Sequence, residues 1–121
     1  MAACEQPGAH SVGAFLDGEL VSVGLVAADG GPGSWRVRGM ATAPDARRRG
    51  AGSAVLQALV EYALGRGATR IWCNARVPAR SFYEGAGFRV VSDVFELPHI
   101  GPHVVMDWAR SPSRAADRAV G

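Results

Sequence analysis

At 121 residues, 48% of them hydrophobic and 20% charged, the chain has the size and apolar content of one folded domain rather than of a disordered segment. Its 13 basic residues, all arginine, face 11 acidic ones; without a lysine there is no Walker phosphate loop or Schiff-base chemistry, and a net charge of +2 is too small to signal nucleic-acid binding. No apolar run approaches the roughly 18 residues of a membrane span and no basic stretch precedes an apolar core at the N-terminus, so a cytoplasmic protein with no membrane partner is expected.

Residues 1–10 show no periodicity and read as a flexible lead-in. Val12 to Leu16 and Glu19 to Val26 are β-prone runs joined by Asp17-Gly18, a pair that supplies the positive φ of a tight hairpin. After a Gly-rich loop over Ala27 to Ser34, Trp35 to Thr42 alternates apolar residues with arginines and predicts a third strand, with Gly39 marking a bulge. Leu56, Leu59, Val60, Ala63 and Leu64 then recur at helical spacing opposite Gln57 and Glu61, and Gly65 and Gly67 close that helix. A buried strand is expected over Thr69 to Asn74 and a second helix from about Pro78 through Tyr83 to Ala86, stopped by Gly87. Phe88 to Phe95 and Val104 to Trp108 read as strands around a Pro98 to His103 loop, and Ala109 to Gly121 as a flexible tail. The first hairpin must be antiparallel and the strand-helix-strand unit parallel, which predicts a mixed α/β sheet with helices on its faces.

Chemistry concentrates at Arg47-Arg48-Arg49-Gly50-Ala51-Gly52, directly before the long helix. Free backbone N–H groups and the positive end of the helix dipole meet there, the glycines admit a close approach, and guanidiniums add charge-assisted hydrogen bonds: a phosphate site. The competing reading is a solvated charge run followed by a plain turn. A dinucleotide fingerprint would need a third glycine where Val55 stands. Cys4 and Cys73 form neither a disulfide framework nor a metal motif, and Cys73 lies in an apolar run as a small hydrophobe rather than a nucleophile. Gly101 and Pro102 exclude the helix that would align His99 with His103, so no metal is expected.

The same segment resembles the pyrophosphate motif Q/R-x-x-G-x-G/A of the GCN5-related N-acetyltransferases. RGMATAPDARRRGAGSAVLQAL resembles that family's strand, phosphate loop and helix, WCNARVPARSFYEGAGF its later strand-helix block, and FELPHIGPHVVM a bacterial branch of uncharacterised members. The resemblance spans about Val12 to Trp108. It implies one acyl-CoA N-acyltransferase domain over residues 1–108, with a mostly antiparallel sheet, a central parallel strand pair that splays and helices on both faces. The family's strand and two helices that usually precede the first hairpin have no counterpart in the ten residues before it, so an open acceptor cleft, a second copy covering it as a homodimer, and a shortened form of reduced activity all stay open.

By the same resemblance, acetyl-CoA is the cosubstrate. Backbone groups of Met40, Ala41 and Thr42 would meet its pantetheine, the N–H groups of Arg48, Arg49, Gly50, Ala51, Gly52 and Ser53 its pyrophosphate, with Arg47 opening the same cofactor-binding motif, and Asn74 the pantetheine arm, unless Asn74 serves only a local turn. Tyr83 is the expected general acid for the departing thiolate, against the alternative of an aromatic packed on the sheet. Glu96 and His103 are the candidates for taking a proton from the acceptor, a small-molecule or peptide amine. A non-catalytic CoA-binding module is the alternative.

Overall fold

A computed structural model describes residues 9–47 and 50–108. They form two compact units divided between Asn74 and Ala75.

The first unit opens with strands β1 (Ala9–Leu16) and β2 (Glu19–Ala28), paired antiparallel. Asp17 and Gly18 both adopt positive φ, 52° and 82°, the turn geometry whose twist matches the flanking strands. β1 starts earlier than expected: Ala9 and His10 belong to the strand rather than to a lead-in. The His10 ring stacks on Tyr62 with centroids 3.8 Å apart, a tertiary contact that local composition does not announce. Residues 1–8 lie outside the described residues.

β3 (Ser34–Thr42) pairs antiparallel with β2, and the register slips between Val23↔Ala41 and Leu25↔Arg38, so β3 carries the extra residue expected near Gly39. Gly24 lies at the slip, and a Cβ there would crowd Met40 Sδ and stand 3.0 Å from Leu59 Cδ1, so a side chain at this position would push Met40 aside. Helix α1 (Ala51–Gly65) packs on β1, β2 and β3 through Val55, Leu56, Leu59, Val60 and Ala63, all buried. Gln57 and Glu61 remain exposed and hydrogen-bond each other.

Strand β4 (Arg70–Arg76) runs parallel to β3 but outlasts the expected end at Asn74. Ile71, Cys73 and Ala75 point inward in strict alternation. Outside this alternation, Trp72 donates its indole N–H to the Asp29 carbonyl, and the Arg36 and Arg70 guanidiniums each lie 5.3 Å from its ring centroid.

The second unit departs further from expectation. The helix predicted from Pro78 divides into a 3-10 turn, Val77–Ala79, and a short α2 (Arg80–Gly85). The single run from Phe88 to Phe95 becomes two strands, β5 (Phe88–Val90) and β6 (Phe95–Leu97). Between them Ser92 breaks the ladder: its hydroxyl accepts from the Val105 N–H and donates to the Asp93 carbonyl, both at 2.8 Å. The loop before the last strand also shrinks. β7 begins at Gly101, three residues before Val104, and pairs antiparallel with both β5 and β6. Only Pro98 to Ile100 turn, with His99 at φ 67° and the Ile100 N–H bonded to the Leu97 carbonyl. The tail, Ala109 to Gly121, lies outside the described residues.

The architecture is mixed α/β: β1–β2, β2–β3, β5–β7 and β6–β7 pair antiparallel and β3–β4 pair parallel.

Candidate functional site

The parallel ladder between β3 and β4 is brief. It pairs Ser34 with Arg70, Trp35 with Ile71 and Arg36 with Trp72, and then stops, although β3 continues to Thr42 and β4 to Arg76. The far half of β3 is held from one side only: Ala41 and Thr42 pair with Val23 and Ser22 of β2, and the Thr42 hydroxyl hydrogen-bonds Ser22 at 2.9 Å. The edge of Met40, Ala41 and Thr42 that would face β4 is therefore outside the β3–β4 ladder. Backbone groups left out of a ladder need another partner. Asn74, half-buried, stands two residues beyond Trp72, the last position of β4 paired with β3, on the same face of that strand.

The chain leaves β3 through Ala43, whose N–H bonds the Val21 carbonyl, and a 3-10 turn over Pro44–Ala46. Arg47 follows in extended conformation and is exposed. Arg48 and Arg49 lie outside the described residues. Gly50 is the N-cap of α1 at φ 87°, a left-handed conformation that a side chain resists. A Cβ at Gly50 would meet nothing within 4 Å, so the glycine is required by backbone geometry and not by crowding.

Helix α1 begins without the usual satisfaction of its end. No side chain caps it, and its first turn contains no acidic residue. The first internal bond runs from the Ala54 N–H to the Gly50 carbonyl, leaving the N–H groups of Ala51, Gly52 and Ser53 without a helical acceptor. An uncapped start carries roughly half a positive charge from the helix dipole, which an oxyanion stabilises. Ala51 and Gly52 are buried while Ser53 is exposed, so the turn is packed from behind.

Cys73, on β4, is sealed. It is 1% exposed, and burial pushes its thiol up to about 12, against a smaller opposing pull from the Arg36 charge. That thiol stays protonated and unreactive near neutrality.

In the second unit, Tyr83 is buried in α2, edge-on to Phe82 at 5.1 Å and to Phe88 at 5.6 Å. Glu96 is exposed on β6, opposite Pro102. His103 is buried on β7, opposite Phe95, and its Nδ1 lies 2.8 Å from the Gly101 carbonyl. Because neighbouring strand residues face opposite ways, Glu96 and His103 occupy opposite faces of the β6–β7 hairpin. The structure does not bring these two candidates together.

Three features were not legible beforehand: the Ser22–Thr42 bond, the close packing of Met40 and Leu59 against Gly24, and the arginine contacts of Trp72. A glycine inside the apolar run VSVGLV was the available signal for Gly24. Among the described residues no helix is long and apolar enough to cross a membrane.

The sequence pattern of the Acetyltransferase (GNAT) family matches residues 2–88. The uncharacterized N-acetyltransferase YitI of Bacillus subtilis (strain 168) is 32% identical over 104 residues, covering 82% of this chain and 70% of the relative. Among solved structures, an aminoglycoside 6'-N-acetyltransferase complexed with coenzyme A aligns at TM-score 0.76 and 17% identity, over 88% of this chain and 75% of that one. The ribosomal-protein-S18-alanine N-acetyltransferase from Escherichia coli aligns at TM-score 0.72 and 19% identity, over 88% and 72%. At such identities the two structures speak for the fold alone.

Proposed function

The chain belongs to the acetyltransferase (GNAT) family, and from that premise we propose that it moves an acetyl group from acetyl-CoA to a primary amine by direct attack, without a covalent acyl-enzyme. The observation that supports this most is the uncapped start of α1, where three N–H groups and a left-handed glycine follow a strand whose pairing with β4 has lapsed. These residues fit the proposed cosubstrate. Its diphosphate would take hydrogen bonds from the N–H groups of Gly50, Ala51, Gly52 and Ser53, with Arg47, Arg48 and Arg49 adding positive charge. Its amide-bearing arm would pair with the main chain of Met40, Ala41 and Thr42 in place of the missing strand contact, and with the Asn74 side chain.

Acetyl-CoA supplies the acetyl group as a thioester, whose sulfur departs as a thiolate. The task left to the protein is then positioning and proton management. In this reading the Tyr83 hydroxyl donates a proton to the sulfur, and the packing of its ring against Phe82 and Phe88 limits where that hydroxyl can point. Glu96 and His103 are the candidates for receiving the proton of the amine.

A thiol-release assay with acetyl-CoA tests the proposal against four primary amines: an aliphatic diamine, an aminoglycoside, an amino-acid amide and a lysine-containing peptide. Amine-dependent release supports transfer. CoA binding by calorimetry with no release from any amine would make the chain a CoA-binding module instead.

A further inference from the structure

Ser34, Arg36, Arg70 and Trp72 share one face of the sheet. The parallel ladder sets Ser34 opposite Arg70 and Arg36 opposite Trp72, and residues two apart along a strand point the same way. Trp35 and Ile71, paired between them, are buried on the other face. All four residues, and the glycine loop that precedes β3, belong to the first unit.

That loop is firmly tied. The Asp29 N–H bonds the Ser34 carbonyl at 2.9 Å and the Ser34 N–H bonds the Gly31 carbonyl at 3.0 Å. The Gly33 carbonyl accepts from the N–H groups of Thr69 and Arg70 and from the Thr69 hydroxyl. Within this ordered setting two side chains are incompletely served. Among the described residues, the buried side-chain nitrogen and oxygen atoms without a hydrogen-bond partner are Ser34 Oγ and Arg36 Nε, two residues apart on this one face. Ser34 is only 5% exposed, and its hydroxyl is turned toward the loop: a Cβ on Gly30 would stand 2.9 Å from Ser34 Oγ and 3.4 Å from Trp72 Nε1. Arg36 leaves 29% of its side chain exposed, so solvent has a way in. Its Nη1 lies 3.5 Å from Asp29 Oδ2, longer than a charge-assisted bond of about 2.8 Å.

Buried polar groups left unpaired cost stability, and their pattern indicates what would satisfy them. Arg36 Nε–H can only donate, and the Ser34 hydroxyl can donate as well. Two guanidiniums, Arg36 and Arg70, reach the Trp72 ring, against the single carboxylate of Asp29. Donors and positive charge together favour an oxyanion over a cation. Side chains two apart on a strand start about 6.6 Å from each other, a gap that two oxygens of one carboxylate or phosphate bridge with hydrogen bonds of about 2.8 Å.

We propose that Ser34 and Arg36 form an oxyanion site, in which one oxygen of a carboxylate or phosphate group accepts from the Ser34 hydroxyl and a second accepts from Arg36 Nε–H. The site goes beyond the acetyl-transfer reading and does not depend on it. Ser34 opens β3, whereas the turn assigned to diphosphate follows the far end of that strand, roughly 25 Å along it.

The test is a titration of the full chain, labelled with heavy nitrogen and followed by NMR at the Arg36 Nε–H and the Trp72 indole N–H. Sodium acetate and sodium phosphate are the probes, with sodium chloride at matched ionic strength as the control. Acetate or phosphate should move both signals in a saturable way, and chloride should not; the probe that saturates at lower concentration tells a carboxylate source from a phosphate source. Both signals arise at the first rungs of β3 and β4, so phosphate held at the start of α1 does not imitate the result. Ser34→Ala should bind roughly 3- to 10-fold more weakly, and without the probe it should melt no lower than the parent, since only an unpartnered hydroxyl is removed. Arg36→Lys keeps the charge but not the guanidinium fork; followed at Trp72, it should lose roughly 10-fold or more. Parental affinity in Ser34→Ala, an equal response to chloride, or no saturable movement of the Arg36 signal with either probe would overturn the site and leave both groups to ordered water.

Discussion

Tyr83 and Cys73 are both buried, yet their chemistry points in opposite directions. The ring of Tyr83 meets Phe82 and Phe88, contacts that phenylalanine would reproduce, so Tyr83→Phe isolates the hydroxyl. If that hydroxyl protonates the thiolate, steady-state kinetics should show kcat falling by roughly 10- to 1,000-fold with CoA affinity unchanged. Unaltered kcat, where thiolate departure limits the rate, would leave Tyr83 a packing residue. Cys73 is expected to do no chemistry. Its thiol is pushed up to about 12 from a reference of 9.0, chiefly by burial, so the neutral form is the one the fold favours. The folded value lies above the unfolded one, and the resulting stabilisation is complete below about pH 9 and is lost as pH rises toward about 12. In a Cys4→Ser background, folded protein at pH 8 should resist iodoacetamide until denaturant is added, and Cys73→Ala should soften the decline in melting temperature above pH 9.

At the scale of elements, the decisive feature is how α1 starts. Its amphipathic stripe was readable from Leu56, Leu59, Val60 and Ala63, and all four are buried. The open N-terminus was also readable, since RRRGAG contains no Ser, Thr, Asp or Asn to cap it. At Gly50, φ is 87°, and a side chain would cost about 1–2 kcal/mol in backbone strain even though space is available. Gly50→Ala should therefore lower the melting temperature by several degrees and weaken CoA binding, whereas Gly50→Asn, whose side chain tolerates this conformation better, should lose less of both. Calorimetry on the two variants checks the order; equal, unimpaired CoA affinity in both would detach the turn from phosphate binding. Elsewhere element boundaries moved where polar side chains or turn geometry intervened. Ser92 splits a β-prone run, and the tight turn at Pro98 to Ile100 lets β7 start at Gly101 despite the Gly-Pro pair.

For the whole molecule, ligand binding to the folded chain alone must raise its stability. CoA at about 100 times its dissociation constant should contribute about 2.7 kcal/mol, visible as an upward shift of several degrees in melting temperature. No shift at saturating CoA would contradict the proposed diphosphate site. The sequence by itself determined the hairpin, the long helix, the parallel strand-helix-strand unit and the position of the glycine turn before α1, because each follows from local periodicity, turn chemistry or the order of neighbouring elements. Tertiary structure alone decided the rest. The lapse of β3–β4 pairing beyond Arg36 and Trp72, the close approach of Met40 and Leu59 to Gly24, and the separation of Glu96 and His103 onto opposite faces depend on strand register. Register is set by contacts between residues far apart in the chain, and a slip of one position would exchange the faces of every side chain involved.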